Sequence, residues 1–374
     1  MKTWSNILWL GTKELRSVLS DVVLVVLIVW AFSIQIYARS TAISESVNNA
    51  SIAIVDEDHS TLSRAIANAF YPPYFKTPEL ITPADIDEGM DQDRFMFIVE
   101  IPPRFEADVR RGRQPTVQVN IDATAVTQAS LGNSYIQSIV NSEVNRFVSR
   151  SDGTAAPAVQ LVQRRAFNPN GTGMWFNSIV ALLDNLTMLT IILTGAALLR
   201  EREHGTIEHL LVMPLTSFQI AMSKVWANGL IILVAFSLSM LLMVETILDV
   251  PVAGSRVLLI GGTTVYLSAA AAIGIFLGTI ARSMAQFALL MMMVIIPMML
   301  LSGGMTPIES QPEIIQPVTW LLPSRHYMAF AQAVVFRGAG LDIVWPQLLT
   351  TIGLGTVFFL ASLALFRRSI ATSN

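Results

Sequence analysis

The run WANGLIILVAFSLSMLLMVETIL, Trp226 to Leu248, decides the fold class. A helix crosses a hydrocarbon core with roughly 20 mostly apolar residues, and this run exceeds that with one charge, Glu245, close to its end. Five more such runs lie along the chain: Val22–Ala38, Phe176–Leu199, Val257–Ile280, Ala285–Ser302 and Pro346–Phe366. Composition agrees: of 374 residues, 53% are hydrophobic and only 14% charged, where a soluble domain carries about 25% charged residues. The expected fold class is membrane α-helical, six transmembrane helices with an α/β extracytoplasmic domain inserted between the first and second spans. A net charge of −3 and the lack of any basic run argue against nucleic acid. The absence of cysteine excludes disulfides, thiolate metal sites and a cysteine nucleophile.

The first run is the shortest, and a signal-peptide core is the competing reading. Its apolar stretch is longer than a usual signal core and no small-x-small cleavage site follows Tyr37, so residues 21–38 read as a retained anchor. Orientation follows from lysine and arginine in short loops. With the N-terminus in the cytoplasm, inner segments hold Lys2, Lys13, Arg16, Arg200, Arg202, Lys224, Arg282, Arg367 and Arg368, whereas short outer loops hold Arg256, Arg325 and Arg337. Both termini are then inside and residues 39–175 outside. Residues 1–20 place Trp4, Ile7, Leu8, Leu15, Val18 and Leu19 at helical spacing, with Lys13, Glu14 and Arg16 on another face. This pattern predicts an amphipathic helix in the cytoplasmic interface; a plain extension of the first span is the alternative.

Residues 39–175 change character. Ser51–Val55, Phe95–Ile101 and Thr116–Ile121 are β-rich or alternating. His59–Phe70, Pro103–Arg111 and Val126–Arg150 have helical spacing, the last with Leu131, Tyr135, Ile139, Val140, Val144 and Phe147 on one side. Gly153 to Pro157 and Asn168 to Gly173 read as linkers. Residues 176–374 form a five-helix transmembrane region with two unusual connections. One is cytoplasmic, residues 200–224. The other, residues 303–345, carries Pro307, Pro312, Pro317 and Pro323; it is too broken to span and predicts short re-entrant or interfacial helices on the outer face.

Chemistry-bearing constellations are scarce. No G-x-x-x-x-G-K-[ST] phosphate loop exists. His59, His204, His209 and His326 form no H-E-x-x-H zinc pair, and for His204 and His209, five apart on poorly matched helix faces, solvated interface histidines are the plainer reading. Asp184, beside Asn185, is the acidic residue well within a span; it either lines a water-filled path or is a hydrogen-bonded structural residue. Glu245 and Asp249 lie near the outer end of the third span and read as wet. Gly274-Ile275-Phe276-Leu277-Gly278 is a small-x-x-x-small pattern that lets helix backbones approach, without naming the partner helix. Met291–Met293, Met298 and Met299 flank Pro297, which kinks the fifth span. Methionine adapts to varied apolar ligands, and lipid-facing filler is the simpler role.

The most informative stretch is Arg200-Glu201-Arg202-Glu203-His204-Gly205-Thr206-Ile207-Glu208-His209-Leu210-Leu211-Val212-Met213-Pro214. Alternating charges keep its start in water, Gly205 breaks it, Thr206 suits a cap and Pro214 ends the following turn. On spacing alone it is any ordered loop. Yet Glu201-Arg202-Glu203, then Gly205-Thr206-Ile207-Glu208 and Pro214, resembles the signature after the second span of type-2 ABC exporter permeases. Ile52-Ala53-Ile54-Val55-Asp56-Glu57-Asp58 with Ser60-x-Leu62-Ser63-Arg64 resembles the start of that family's external domain, and Ile101-Pro102-Pro103-x-Phe105 with Gly112 its middle. Leu301-Ser302-Gly303-Gly304, Pro307, Glu309, Pro312 and Arg337-Gly338 are similar to its outer segment. Met174-Trp175-Phe176-Asn177 departs from the proline-glycine common at the start of the second span.

The resemblance implies a bacterial inner-membrane, multi-pass permease with residues 39–175 in the periplasm. It would pair with a second copy or a paralogue, sit among membrane lipid and meet a periplasmic adaptor. It implies no catalysis and no cofactor in this chain, ATP and Mg being bound by a separate ATP-binding subunit. That subunit would dock on Arg200, Glu201, Arg202, Glu203, Gly205, Thr206, Glu208, Leu211 and Pro214. Asp184, Asn185, Met292 and Pro297 are candidates for a central translocation path about which the second and fifth spans would move. A membrane sensor with an external ligand-binding domain, or a membrane enzyme, would share the topology. A sensor would carry a cytoplasmic output domain, and an enzyme a paired acid/base or metal constellation.

Overall fold

A computed structural model describes residues 2–42, 49–92, 94–122, 126–152, 172–203 and 215–371. The chain divides into two compact units, Ile43–Arg164 and the remainder, Met1–Ala42 with Arg165–Asn374. The protein is mostly helical. Among the described residues six helices are long and apolar enough to cross a membrane: Val22–Thr41, Gly173–Glu203, Ser217–Ile247, Arg256–Ile280, Met284–Leu301 and Leu341–Phe366. A small mixed sheet lies between the first and the later spans. The spans outrun the hydropathic runs at their charged ends because a helix continues into polar sequence until a cap or break stops it.

The larger unit is built around the second span, buried along nearly its whole length. It packs on the fourth span through backbone. A Cβ on Gly278 would stand 2.7 Å from the Gly195 carbonyl oxygen, and one on Gly274 equally close to that of Ile191. The small-residue pattern at Gly274 and Gly278 therefore faces the second span. The first span is interrupted: Val22–Phe32 and Ile34–Ala42 are separate helical stretches broken at Ser33. Carbonyls freed by such a break need partners within an apolar bundle, and they have them. Asn185 Nδ2 donates to Ala31 O at 2.6 Å and Ser239 Oγ to Phe32 O at 2.5 Å. The third span passes from α-helix into a π-helical stretch, Met240–Ile247.

The N-terminal helix, Lys2–Ser20, ends where the Asp21 carboxylate accepts from the amides of Val23 and Leu24 and opens the first span. Its Ile7, Leu10 and Val18 are buried, while Trp4, Leu8 and Trp9 are exposed. Leu10 packs with Leu215 and Ile220. Gly11 lies flat under the Trp226 indole, whose Nε1 donates to Ile7 O at 3.1 Å. In the proline-rich connection after the fifth span, Gln316–Thr319 is one turn and Pro323–Arg337 a 15-residue helix. At 1.5 Å per residue that helix reaches about 22 Å, short of a hydrocarbon core of about 30 Å. It is nonetheless buried: Tyr327 stacks on Tyr266 of the fourth span at 4.0 Å and shares a hydrogen bond with Thr263. His326 is buried there too, its Nε2 2.8 Å from Trp320 O.

Among its described residues the smaller unit has four strands in the order β2-β1-β3-β4: β1 Ile52–Asp56, β2 Glu79–Leu80, β3 Phe97–Ile101 and β4 Gln118–Ile121. β1 runs parallel to β2 and β3, and β4 is antiparallel to β3 with Val99 opposite Val119. Both faces of β1 are buried, as its unbroken apolar run requires. Ile52 and Ile54 meet Leu62, Phe75, Phe97 and Ile136, and Ala53 and Val55 meet Phe95, Ile98 and Ile86. Helices Thr61–Asn68, Phe105–Arg110 and Val126–Asp152 stand where spacing predicts them. β2 and the short helix Ile86–Asp91 were not foreseen, being too short to carry a period.

Candidate functional site

The first residues of the segment that leaves the second span are held from inside. Lys224, in the third span, is fully buried. Its Nζ lies 2.9 Å from Glu14 Oε1 of the N-terminal helix, 2.9 Å from Glu201 Oε2 of the second span and 3.4 Å from Ala197 O. Buried charge survives only when paired and hydrogen-bonded, so this node ties three elements at one point. Thr216 and Gln219 form a reciprocal cap that starts the third span just before it.

Arg202 and Glu203 reach the connection between the fourth and fifth spans. Arg202 Nη1 donates to Thr279 O at 2.8 Å and to Ala281 O at 3.3 Å, satisfying carbonyls left open at the end of the fourth span. Glu203 Oε1 accepts from Met284 N at 2.9 Å, at the start of the fifth. A carboxylate is favoured there by the helix dipole. Arg200 is exposed and has its own interactions. Gly205, Thr206, Glu208, Leu211 and Pro214, with His204 and His209, lie outside the described residues.

The four path candidates are not brought together. Asp184 is buried and pairs with Arg39 at 2.8 Å, while Asn185 holds the first-span break. Met292 and Pro297 sit on the exposed face of the fifth span. Glu245 is not simply wet: Arg256 grips it with three hydrogen bonds, the shortest 2.7 Å. Among the described residues no group of three histidine, aspartate or glutamate side chains could hold a metal ion.

In the smaller unit, the two motif stretches close on each other. Asp56 Oδ1 accepts from the amides of Asp58 and His59, and Ser60 and Ser63 cap the helix Thr61–Asn68. Glu106 Oε2 accepts from Thr61 N, Leu62 N and the Thr61 hydroxyl. Burial alone would raise the Glu106 carboxyl, but the Thr61 and Leu62 hydrogen bonds and Arg110 hold it below its ordinary value. These motif residues fasten a helix end to the neighbouring loop.

Glu14, Lys224 and Arg39 were not singled out as site residues by sequence reasoning. The available signal was a lysine at 224 flanked by apolar helix on both sides, which demands an acidic partner.

Residues 17–364 match the family model described as ABC-2 family transporter protein. The chain is 50% identical over 372 residues to the inner membrane transport permease YhhJ of Escherichia coli strain K12, covering 100% of both. It is 28% identical to the probable multidrug ABC transporter permease YbhR of the same strain, over 97% of this chain and 99% of that one. With the probable multidrug ABC transporter permease YbhS it shares 24% identity, over 90% of each.

Proposed function

Because this chain belongs to the ABC-2 family of transporter proteins, and so is the non-catalytic permease subunit of an ABC transporter that works with an ATP-binding subunit, we propose that it exports cargo outward across the inner membrane. Both termini face the cytoplasm and the unit Ile43–Arg164 faces the periplasm, by the distribution of lysine and arginine in the short loops. The ATP-binding subunit docks on the segment from Arg200 to Pro214, and the N-terminal helix moves with it. The observation that carries this reading is the buried Lys224 node. It joins the root of that segment, through Glu201, to the N-terminal helix, through Glu14, and to the third span. A push on the segment therefore reaches three elements through charge pairs that are costly to break.

The chain works as a pair, with a second copy or a paralogue, and cargo passes along the exposed face of the fifth span that carries Met292 and Pro297. Two relatives are described as probable multidrug permeases, which makes small apolar drugs the first cargo to assay. The test is reconstitution with the copurifying ATPase in vesicles. Outward, ATP-dependent movement of a drug supports the reading. Inward movement, or no copurifying ATPase, ends it.

A further inference from the structure

The smaller unit holds a groove of about 760 Å³, within the range of roughly 300–1,000 Å³ typical of small-molecule sites. Its floor is apolar: Val117 and Val119 at β4, Phe105 and Val109 on the helix Phe105–Arg110, and Val140 and Val144 on the helix Val126–Asp152. Its lip is basic, with Arg110, Arg111 and Arg113, and among the described residues no acidic side chain lines it.

The lip is built by a defined turn. Gly112 takes φ +71°, its amide donates to Val109 O at 3.0 Å, and Arg113 N donates to Asp108 O at 2.9 Å. This is a helix end closed through a left-handed residue, the conformation that favours glycine, and it sets Arg111 and Arg113 on either side of Gly112. The charges do not cancel. Arg110 pairs with Glu106 at 2.6 Å and lies over the Phe147 ring. Arg111 and Arg113 share a single carboxylate, Asp108, at 3.9 and 3.2 Å. Three arginines thus face two acids, which leaves one positive charge in excess at the lip.

We propose that this groove binds a compact amphiphilic anion, with its apolar body on the valine floor and its acidic head between Arg111 and Arg113. Guanidinium groups suit such a head because their planar fork gives paired, charge-assisted hydrogen bonds to carboxylate, sulfonate or phosphate. The exposed side chains of Arg111 and Arg113 are free to turn from Asp108 at little cost, since exposed pairs are weak. The site is independent of the direction of transport.

The test uses the full chain in zwitterionic nanodiscs, with empty nanodiscs as reference, and calorimetric titration of three probes sharing one ring: naphthalene-2-sulfonate, naphthalene-2-sulfonamide and naphthylmethylammonium. The sulfonate should bind saturably and more tightly than either of the others. Arg111→Gln with Arg113→Gln, both at exposed side chains, should weaken the sulfonate about tenfold or more, as loss of hydrogen bonds to a charged group predicts, and leave the sulfonamide unchanged. Val144→Trp, which fills the floor, should remove binding of both. Equal binding of all three probes, or a sulfonate affinity unchanged in the double arginine variant, would overturn the proposal. So would full binding by Val144→Trp.

Discussion

Arg202 and Glu203, adjacent in sequence, close the ends of two different helices: Arg202 takes the last carbonyls of the fourth span and Glu203 the first amide of the fifth. Two residues of the charged run that sequence reasoning offered whole to a partner are thus already occupied within the chain. The tip of the second span holds the fourth–fifth connection in place.

Glu203→Ala and Glu208→Ala should therefore behave differently. Glu203→Ala removes a cap at the fifth span, a loss of about 1 kcal/mol, and should lower the melting temperature of the purified chain. Glu208→Ala should leave melting unchanged and weaken copurification of the ATPase or its stimulation by cargo. Glu57→Ala, exposed in the smaller unit, is the control for both. Identical behaviour of the two cytoplasmic variants would show that no such division exists.

Lys224→Met should be among the most damaging single changes. It leaves Glu14 and Glu201 together without their cation, at a cost of about 3–5 kcal/mol for a broken buried pair. The N-terminal helix should loosen, seen as faster proteolysis before Asp21. Adding Glu14→Gln and Glu201→Gln should restore most of the loss. A Lys224→Met protein as stable as its parent contradicts the node.

Gly278→Ala should destabilise the bundle by about 1–3 kcal/mol, the usual cost of overpacking, because the new Cβ meets the Gly195 carbonyl. Gly261→Ala, on the same helix with nothing within 4 Å of its Cβ position, is the matched control. It should be neutral or slightly stabilising, since alanine favours helix by about 1 kcal/mol. Thermal denaturation in detergent reads both.

The smaller unit should lose stability in acid through Glu106. Its folded carboxyl lies below the ordinary 4.5 despite the opposing effect of burial. A depressed carboxyl contributes stability that is present above the unfolded value and disappears as pH falls through the folded one. Hydrogen exchange at the Thr61 and Leu62 amides should quicken as pH drops below about 4.5, after correction for the intrinsic rate. Glu106→Gln should flatten that dependence and leave the two amides less protected at neutral pH.

Orientation is checked with an impermeant thiol reagent, made clean by a chain without cysteine. Asp91→Cys should label in intact cells, and Ser217→Cys and Ser373→Cys only after permeabilisation. The reverse pattern would invert the topology.

The spans were legible because twenty apolar residues have few other uses, and the strands β1, β3 and β4 because β-branched runs stand out between polar turns. What escaped was pairing across distance. Nothing in sequence joins Glu14 to Lys224, 210 positions on, or Arg39 to Asp184. The carbonyl-catching role of Asn185 depends on a break at Ser33 that hydropathy does not register, since the apolar run passes straight through it. Glycines 274 and 278 announced a close contact but not with which helix, because spacing describes one surface and a contact needs two.

The bare meeting of the second and fourth spans has a mechanical result. Side chains between helices act as a slip layer, changing rotamer to absorb a small displacement. At Gly278 the fourth span lies directly against the Gly195 backbone, and at Gly274 against the Ile191 carbonyl and the Thr194 hydroxyl, so the two helices have little room to slide there. The helical ladder is interrupted elsewhere, at Ser33 in the first span and along Met240–Ile247 in the third, and these are the places where a displacement should be taken up. Spin labels on the second and fourth spans should keep a constant separation through the nucleotide cycle, while pairs straddling either interruption change theirs.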